Sequence, residues 1–316
     1  MIPFGGPCHS PRVVPPDKEF PIRSFKASIA RQFLQFFSWL PLPGVHFIAG
    51  IFGRLLYWLP GRMKTTTLLN LQACYPQSSA AELESLARQS LQHTAMTALE
   101  MGKAWLWPMD KTLAMIQSIE GEAIFERAKA NPRGTIVLAP HLGNWEVFGY
   151  YVTEQVTTTF LYQPPRDPAM AELIRIGRSK GKARLAATNR SGVAELLKAL
   201  QRGEMVGILP DQQPPPESGE YAAFFGVPAL TMTLVAKLVA RTGAGVISGV
   251  AVRLPRGQGF RVVFLEADPL VHDPMLERSL LGLNRSVEAC VALAPEQYQW
   301  EYKRFKRRPD GSAFYP

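Results

Sequence analysis

Gly134-Thr135-Ile136-Val137-Leu138-Ala139-Pro140, running on into His141-Leu142-Gly143-Asn144-Trp145-Glu146, decides how this chain folds. The first part is a short apolar run bounded by Gly and Pro, the pattern of a strand covered on both faces in a parallel sheet. Beyond it Trp145, Val147, Phe148, Tyr151 and Val152 recur at helical spacing to about Val156, so His141 is expected on the loop between a strand and a helix. Two residues five apart in one helix point about 140° away from each other. His141 and Glu146 therefore meet only if His141 precedes the helix and folds back, a turn that Gly143 permits. A neutral imidazole hydrogen-bonded to a carboxylate has a fixed tautomer and raised basicity, and so can take a proton from a substrate hydroxyl. The free N–H groups of the helix's first turn suit negative charge developing nearby. His272 and Glu277 repeat the spacing, but there Asp273 and Pro274 read as the N-cap and first position of a helix, which accounts for them structurally.

Working outward, Thr158 to Tyr162 reads as a second strand and Pro168 to Ile176 as a short helix. Gly192 to Arg202 reads as another helix and Met205 to Pro210 as a third apolar strand, again stopped by Pro. A helix over Thr231 to Arg241, a hairpin of Val246 to Val252 with Phe260 to Leu265, and a last helix from Pro274 to about Leu293 follow. Ser78 to about Trp107 is helical, capped at Ser78 or Ser79. Alternating strands and helices imply an α/β fold with a mostly parallel central sheet flanked by helices.

The segment 32–53 carries no Asp, Glu, Lys or Arg, and its Phe, Leu, Ile and Trp content suits a bilayer. Pro41 and Pro43 interrupt it and basic residues flank both ends, which favours an anchor lying in the membrane interface over a full span. A buried pair of globular helices is the plainer alternative. The expected organisation is a proline-rich mobile tail over 1–24, a membrane-anchor region over 25–64 and one catalytic domain over 65–316. Three cysteines without a CxxC pair indicate neither a disulfide framework nor zinc. A net charge of +9 favours an anionic partner: nucleic acid, a membrane surface or an acidic carrier protein. Trp300 to Arg308 mixes aromatic with basic residues, and beside the apolar segment it reads as facing anionic lipid rather than nucleic acid.

Asp211-Gln212-Gln213 follows a strand just as His141 does, and ligands gather at the carboxyl ends of parallel strands, so it is either a site or a solvated turn before Pro214 to Pro216. Phe224-Phe225 is expected in a loop, either as core or lining an apolar channel. Gly177-Arg178-Ser179-Lys180-Gly181 matches a hydrolase nucleophile elbow in letters only, because a helix rather than a strand precedes it.

The chain resembles the late acyltransferases of lipid A biosynthesis, the lauroyl and myristoyl transferase type, within the glycerolipid acyltransferase superfamily. Pro140 to Glu146, Thr188 to Val193, Leu209 to Pro214 and Phe224 to Ala229 carry the resemblance, supported by Asn70-Leu71 and by Glu296 to Trp300. It implies transfer of a fatty acyl chain from an acyl carrier protein thioester to a hydroxyl of a lipid A precursor at a membrane, without cofactor, metal or nucleic acid. It further implies His141 as general base, Glu146 as the group that orients it, and Asn144, Asp211 and Gln212 in substrate binding. Where relatives often have Arg after the Tyr of the second strand this chain has Gln163, so Arg166 or Arg178 is expected to meet phosphate instead. A different glycolipid or lysophospholipid acceptor, and a membrane-binding protein without chemistry, are the alternatives.

Overall fold

The computed structural model describes residues 25–163 and 167–316. The expected mobile tail and Arg166 lie outside them. Four helices come first: α1 (Phe25–Trp39), α2 (Leu42–Trp58), α3 (Arg62–Cys74) and α4 (Ala80–Leu106). Ser79 caps α4, accepting the Glu82 N–H while Glu82 accepts the Ser79 N–H, which satisfies two end donors reciprocally. Helix α5 (Met109–Leu113) leads to β1 (Ile116–Glu120), α6 (Glu122–Lys129), β2 (Thr135–Leu138), α7 (Trp145–Gln155) and β3 (Thr158–Tyr162). Next are α8 (Pro168–Arg178), β4 (Ala183–Ala187), α9 (Arg190–Gln201) and β5 (Met205–Ile208). The hairpin of β6 (Gly219–Phe224) and β7 (Val227–Met232), then α10 (Leu234–Thr242), β8 (Gly245–Arg253), β9 (Phe260–Glu266) and α11 (Leu276–Ala292) complete the order.

Seven strands form the central sheet in the order β1-β9-β8-β2-β5-β3-β4. From β8 to β4 all neighbours are parallel; β9 turns back antiparallel to β8, and β1 runs parallel to β9. The fold is thus α/β with a mostly parallel sheet. Strands β2 and β5 are buried at every residue because helices cover both faces. Alternation divides β2 between two cores: Ile136 and Leu138 meet Leu196 and Leu200 of α9 and Leu238 of α10, while Val137 shares the other core with Phe125 of α6 and Phe148 of α7.

Three expectations change. Thr231 and Met232 belong to β7 rather than to the helix that follows. Phe224 and Phe225 stand at a two-residue hairpin turn, with φ of 49° at Phe225 and 77° at Gly226, and Phe224 is core. Helix α11 starts after Met275 instead of Asp273, whose side chain accepts the Met275 N–H at 2.9 Å.

The C-terminal run also differs from expectation. Trp300, Arg304 and Phe305 face inward rather than toward a lipid surface, and only Lys306 and Arg307 of its basic residues are fully exposed. Arg304 donates to the Leu230 carbonyl at 2.6 Å and the Thr231 hydroxyl at 3.2 Å. The buried Asn70 of α3 ties this run down: its Nδ2 donates to the Trp300 and Tyr302 carbonyls at 2.7 and 2.8 Å, and its Oδ1 accepts the Tyr315 hydroxyl.

Helices α1 and α2 pack on α4 through Phe37, Val45 and Ala49 against Ala95 and Leu99. The buried Lys103 of α4 donates to the Ser38 and Leu40 carbonyls, holding the end of α1. Their outer faces are apolar and bare: Trp39 is 74% exposed, and Phe47 and Trp58 are each 71% exposed. No single helix among the described residues is long and apolar enough to cross a membrane; α2 and α3 meet that test only as a pair bent by 84°.

Replacing Asn70 with Ala strands the buried Trp300 carbonyl, takes the acceptor from the Tyr315 hydroxyl and removes one of two donors to the Tyr302 carbonyl, and it should cost about 2–4 kcal/mol. Urea unfolding of the variant at neutral pH reads this directly; an unchanged midpoint would show that Asn70 does not hold the C-terminal run.

Candidate active site

Because β2 and β5 pair in parallel with Leu138 opposite Ile208, the residues three positions beyond each, His141 and Asp211, leave the sheet side by side. The His141 ring Nδ1 lies 2.8 Å from Asp211 Oδ1, and the His141 backbone N–H donates to Oδ2 at 2.8 Å. The carboxylate that orients the imidazole is therefore Asp211, in place of Glu146. Burial acts to raise the Asp211 pKa, but the imidazole and the two hydrogen bonds from His141 outweigh it and hold the carboxyl below its ordinary value. With Nδ1 donating to Asp211, Nε2 keeps its lone pair, and the Gln212 amide nitrogen stands 3.3 Å from it. Trp145 packs against the ring at 4.9 Å between centroids.

Glu146, second in α7, turns to α8. Arg178 donates to its Oε1 through Nε at 2.9 Å and through Nη2 at 2.5 Å. Arg178, expected to meet phosphate, is paired here with a buried carboxylate. Both residues, with His141 and Trp145, line a cavity of about 310 Å³.

The loop between His141 and α7 is held from behind. Gly143 has φ of 61°, and a Cβ there would stand 2.0 Å from the Ala251 carbonyl oxygen, so only glycine fits. Its carbonyl accepts from Arg253 Nη2 at 2.8 Å, and its N–H donates to the Gln297 carbonyl at 3.1 Å. Asn144, expected to touch substrate, is fully buried instead. Its Oδ1 accepts the Val147 N–H at 3.1 Å, capping α7, and its Nδ2 donates to Glu100 at 2.9 Å. Glu100 is itself buried and also accepts from Arg253 Nε at 2.7 Å, with His46 Nε2 of α2 at 2.6 Å. One interior carboxylate thus joins α2, α4, the end of β8 and the start of α7.

Sequence reasoning missed three of these placements. Asp211 as the imidazole's partner was open to reading, since Leu-Ala-Pro-His and Ile-Leu-Pro-Asp are matching strand ends whose parallel pairing juxtaposes them. Glu100 and Arg253 carried no signal, Glu100 being one of several charges along α4 and Arg253 the last residue of an apolar strand. Among the described residues, no group of three or more His, Cys, Asp or Glu is placed to hold a metal ion.

An imidazole oriented by a buried carboxylate, set at the carboxyl edge of a parallel sheet above an amphipathic cavity, suits transfer of a group to a hydroxyl. Comparison with known proteins makes that class definite: the chain is an acyltransferase. Residues 20–307 match the model of the bacterial lipid A biosynthesis acyltransferase family, and the chain belongs to that family. It is similar to the lipid A biosynthesis lauroyltransferase of Escherichia coli K12, at 28% identity over 86% of this chain and 88% of that protein. The palmitoleoyltransferase of the same organism is 28% identical over 87% of this chain and 89% of its own length. The E. coli myristoyltransferase is 24% identical over 82% and 80%.

Burial acts to raise the Glu100 pKa, but Arg253 and His46 prevail and bring it from 4.5 to about 2. The folded value lies below the unfolded one, so the stability it gives is fully present above about pH 4.5 and is lost as pH falls toward about 2. That contribution is roughly 3 kcal/mol. Glu100→Gln should lower stability at pH 7 and flatten the fall in unfolding free energy between those pH values. A variant with the wild-type acid dependence would show that other carboxylates set it.

Proposed function

We propose that this enzyme moves a fatty acyl chain from an acyl carrier protein thioester to a hydroxyl of a lipid A precursor, with His141 as general base. The observation that carries the reading is the His141–Asp211 pair, whose Nδ1 contact leaves Nε2 as the basic nitrogen on the cavity side. His141 Nε2 takes the acceptor's hydroxyl proton as the oxygen attacks the thioester carbonyl carbon. Collapse of the tetrahedral intermediate breaks the C–S bond, and the departing thiolate takes the proton back from the imidazolium, giving ester and free thiol. Asp211 keeps the ring in the reactive tautomer and stabilises its charged form. The N–H groups of Trp145 and Glu146 in the first turn of α7 have no acceptor within the helix and suit the developing oxyanion. The Arg178–Glu146 pair fixes the wall on which Trp145 stands.

The lipid A precursor and the acyl chain come from what the family and the named relatives act on, and two properties of this chain agree. A +9 chain suits both an acidic carrier protein and anionic head groups. The bare apolar faces of α1 and α2 suit an enzyme seated on the cytoplasmic face of the inner membrane with its anchor in the interface.

Mass spectrometry of products made from carrier protein loaded with different chains and a tetra-acylated precursor tests the reaction. Wild type should add one acyl mass. His141→Ala should fall at least ~100-fold, and Asp211→Asn should also fall by the order of 100-fold. Transfer only to a lysophospholipid or another glycolipid would overturn the acceptor, and an active His141→Ala would overturn the mechanism. In a separate flotation experiment with anionic vesicles, the triple change Trp39→Ser, Phe47→Ser, Trp58→Ser should release protein that the wild type leaves bound. Equal binding would place the membrane contact elsewhere.

A further inference from the structure

The cavity beside His141 holds a second carboxyl group that the reaction above does not use. Glu301, from the C-terminal run, lines it together with Thr94 and Gln299. Its Oε2 is shut off from solvent and has no hydrogen-bond partner. A buried oxygen left this way costs about 1–3 kcal/mol or more unless something fills the demand. Burial, the largest influence, pushes the Glu301 carboxyl above its ordinary range, against polar contacts from its own backbone N–H, Thr94 and Gln299, none of which meets hydrogen-bond geometry at Oε2, and the pull of nearby His141.

The opposite end of the same cavity is apolar, formed by Met101, Trp105 and Ile174. Met101 and Trp105 pack with Leu34 of α1, the helix whose outer face carries exposed Ile29 and Phe33. The apolar part therefore abuts α1, and Thr94, with Gln299 and Glu301, stands about two to three turns away along α4, on the side of His141. A molecule arriving from a lipid surface would lie along it with its chain toward α1 and its polar part inward. The acyl acceptor is that molecule, since the donor is carried by a soluble protein.

We propose that Glu301 is an acceptor-binding residue, its free oxygen taking a hydrogen bond from an N–H or second O–H adjacent to the hydroxyl that His141 deprotonates. The selected class of acceptor is an amphiphile with an aliphatic chain and two neighbouring hydrogen-bond donors, one to react and one to be held. This deepens the lipid A reading and rests on it. It explains how one hydroxyl among several on such a molecule is presented to the imidazole.

Steady-state kinetics of Glu301→Ala and Glu301→Gln, with acceptor and acyl carrier protein varied separately, tests it. A hydrogen bond to a charged or buried carboxyl corresponds to about 10- to 100-fold in binding. Glu301→Ala should raise the acceptor KM by that factor and leave the donor KM within about twofold, while Glu301→Gln, which keeps the shape and one acceptor oxygen, should recover part of the loss. Thermal unfolding accompanies both variants. If the Ala variant does not fold, the Gln variant decides: a raised acceptor KM supports the assignment, and a wild-type value overturns it. A change confined to kcat or to the donor KM also overturns it. Failure of the wild type to acylate the precursor would instead remove the reading beneath, so the two failures are told apart by the wild-type control.

Discussion

A parallel ladder sets the carboxyl ends of neighbouring strands side by side, and this site exists because β2 and β5 are such neighbours with Leu138 opposite Ile208. Each strand is buried on both faces and is followed by a proline that ends it. The next residue in each case is polar, His141 in one and Asp211 in the other. A shift of the pairing by one residue would exchange the faces of β5, moving Val206 and Ile208 out of the core they share with Ile136 and Leu138. Hydrophobic burial of these strands, worth about 1.5–3 kcal/mol for each large side chain, therefore fixes the contact between imidazole and carboxylate. The polar pair needs no separate device to bring it together.

The same fact explains what could be read in the chain and what could not. Elements whose burial imposes a period were legible: β2, α7, β3 and β5 lie within a few residues of their expected bounds. The edge strands were not. β1 holds Gln117, Ser118 and Glu120 on largely exposed positions, and β4 (Ala-Arg-Leu-Ala-Ala) has three small alanines and only one fully buried position, so neither shows an apolar run. In the site, His141 and the loop position were legible because strand, Pro, Gly and helix are local signals. The carboxylate partner, 70 residues away, could be found only by pairing the two matching strand ends, since no local spacing points to it. Local spacing pointed to Glu146, but a residue in the first turn of α7 faces the neighbouring α8, where Arg178 stands.

Charge inside the protein does a different task. Glu100, Arg253, Asn144 and His46 form a network with little access to water, and such a network is costly unless nearly all of its partners are in place. Hydrophobic contacts tolerate sliding; these do not. The carbonyl of Gly143 and the cap of α7 are thereby located relative to β8 and α4, and the imidazole two residues earlier inherits that location. Arg253 Nη1 has no partner among the described residues.

Helix α4 gives the arrangement its reach. Ala95 and Leu99 face the helices with the bare apolar surfaces, Thr97 and Glu100 face the loop after β2, and Met101 and Trp105 line the cavity. One continuous helix of 27 residues, capped at Ser79, thus reaches the helices with exposed apolar faces, the wall of the cavity and the back of the loop carrying His141. Its Glu100 accepts a hydrogen bond from His46 Nε2, which crosses directly to α2. A displacement of α2 against α4 would have to break a buried carboxylate contact before it could occur, whereas a displacement of both together would carry the loop with them. The orientation of the apolar helices and the orientation of the imidazole are consequently one structural variable rather than two.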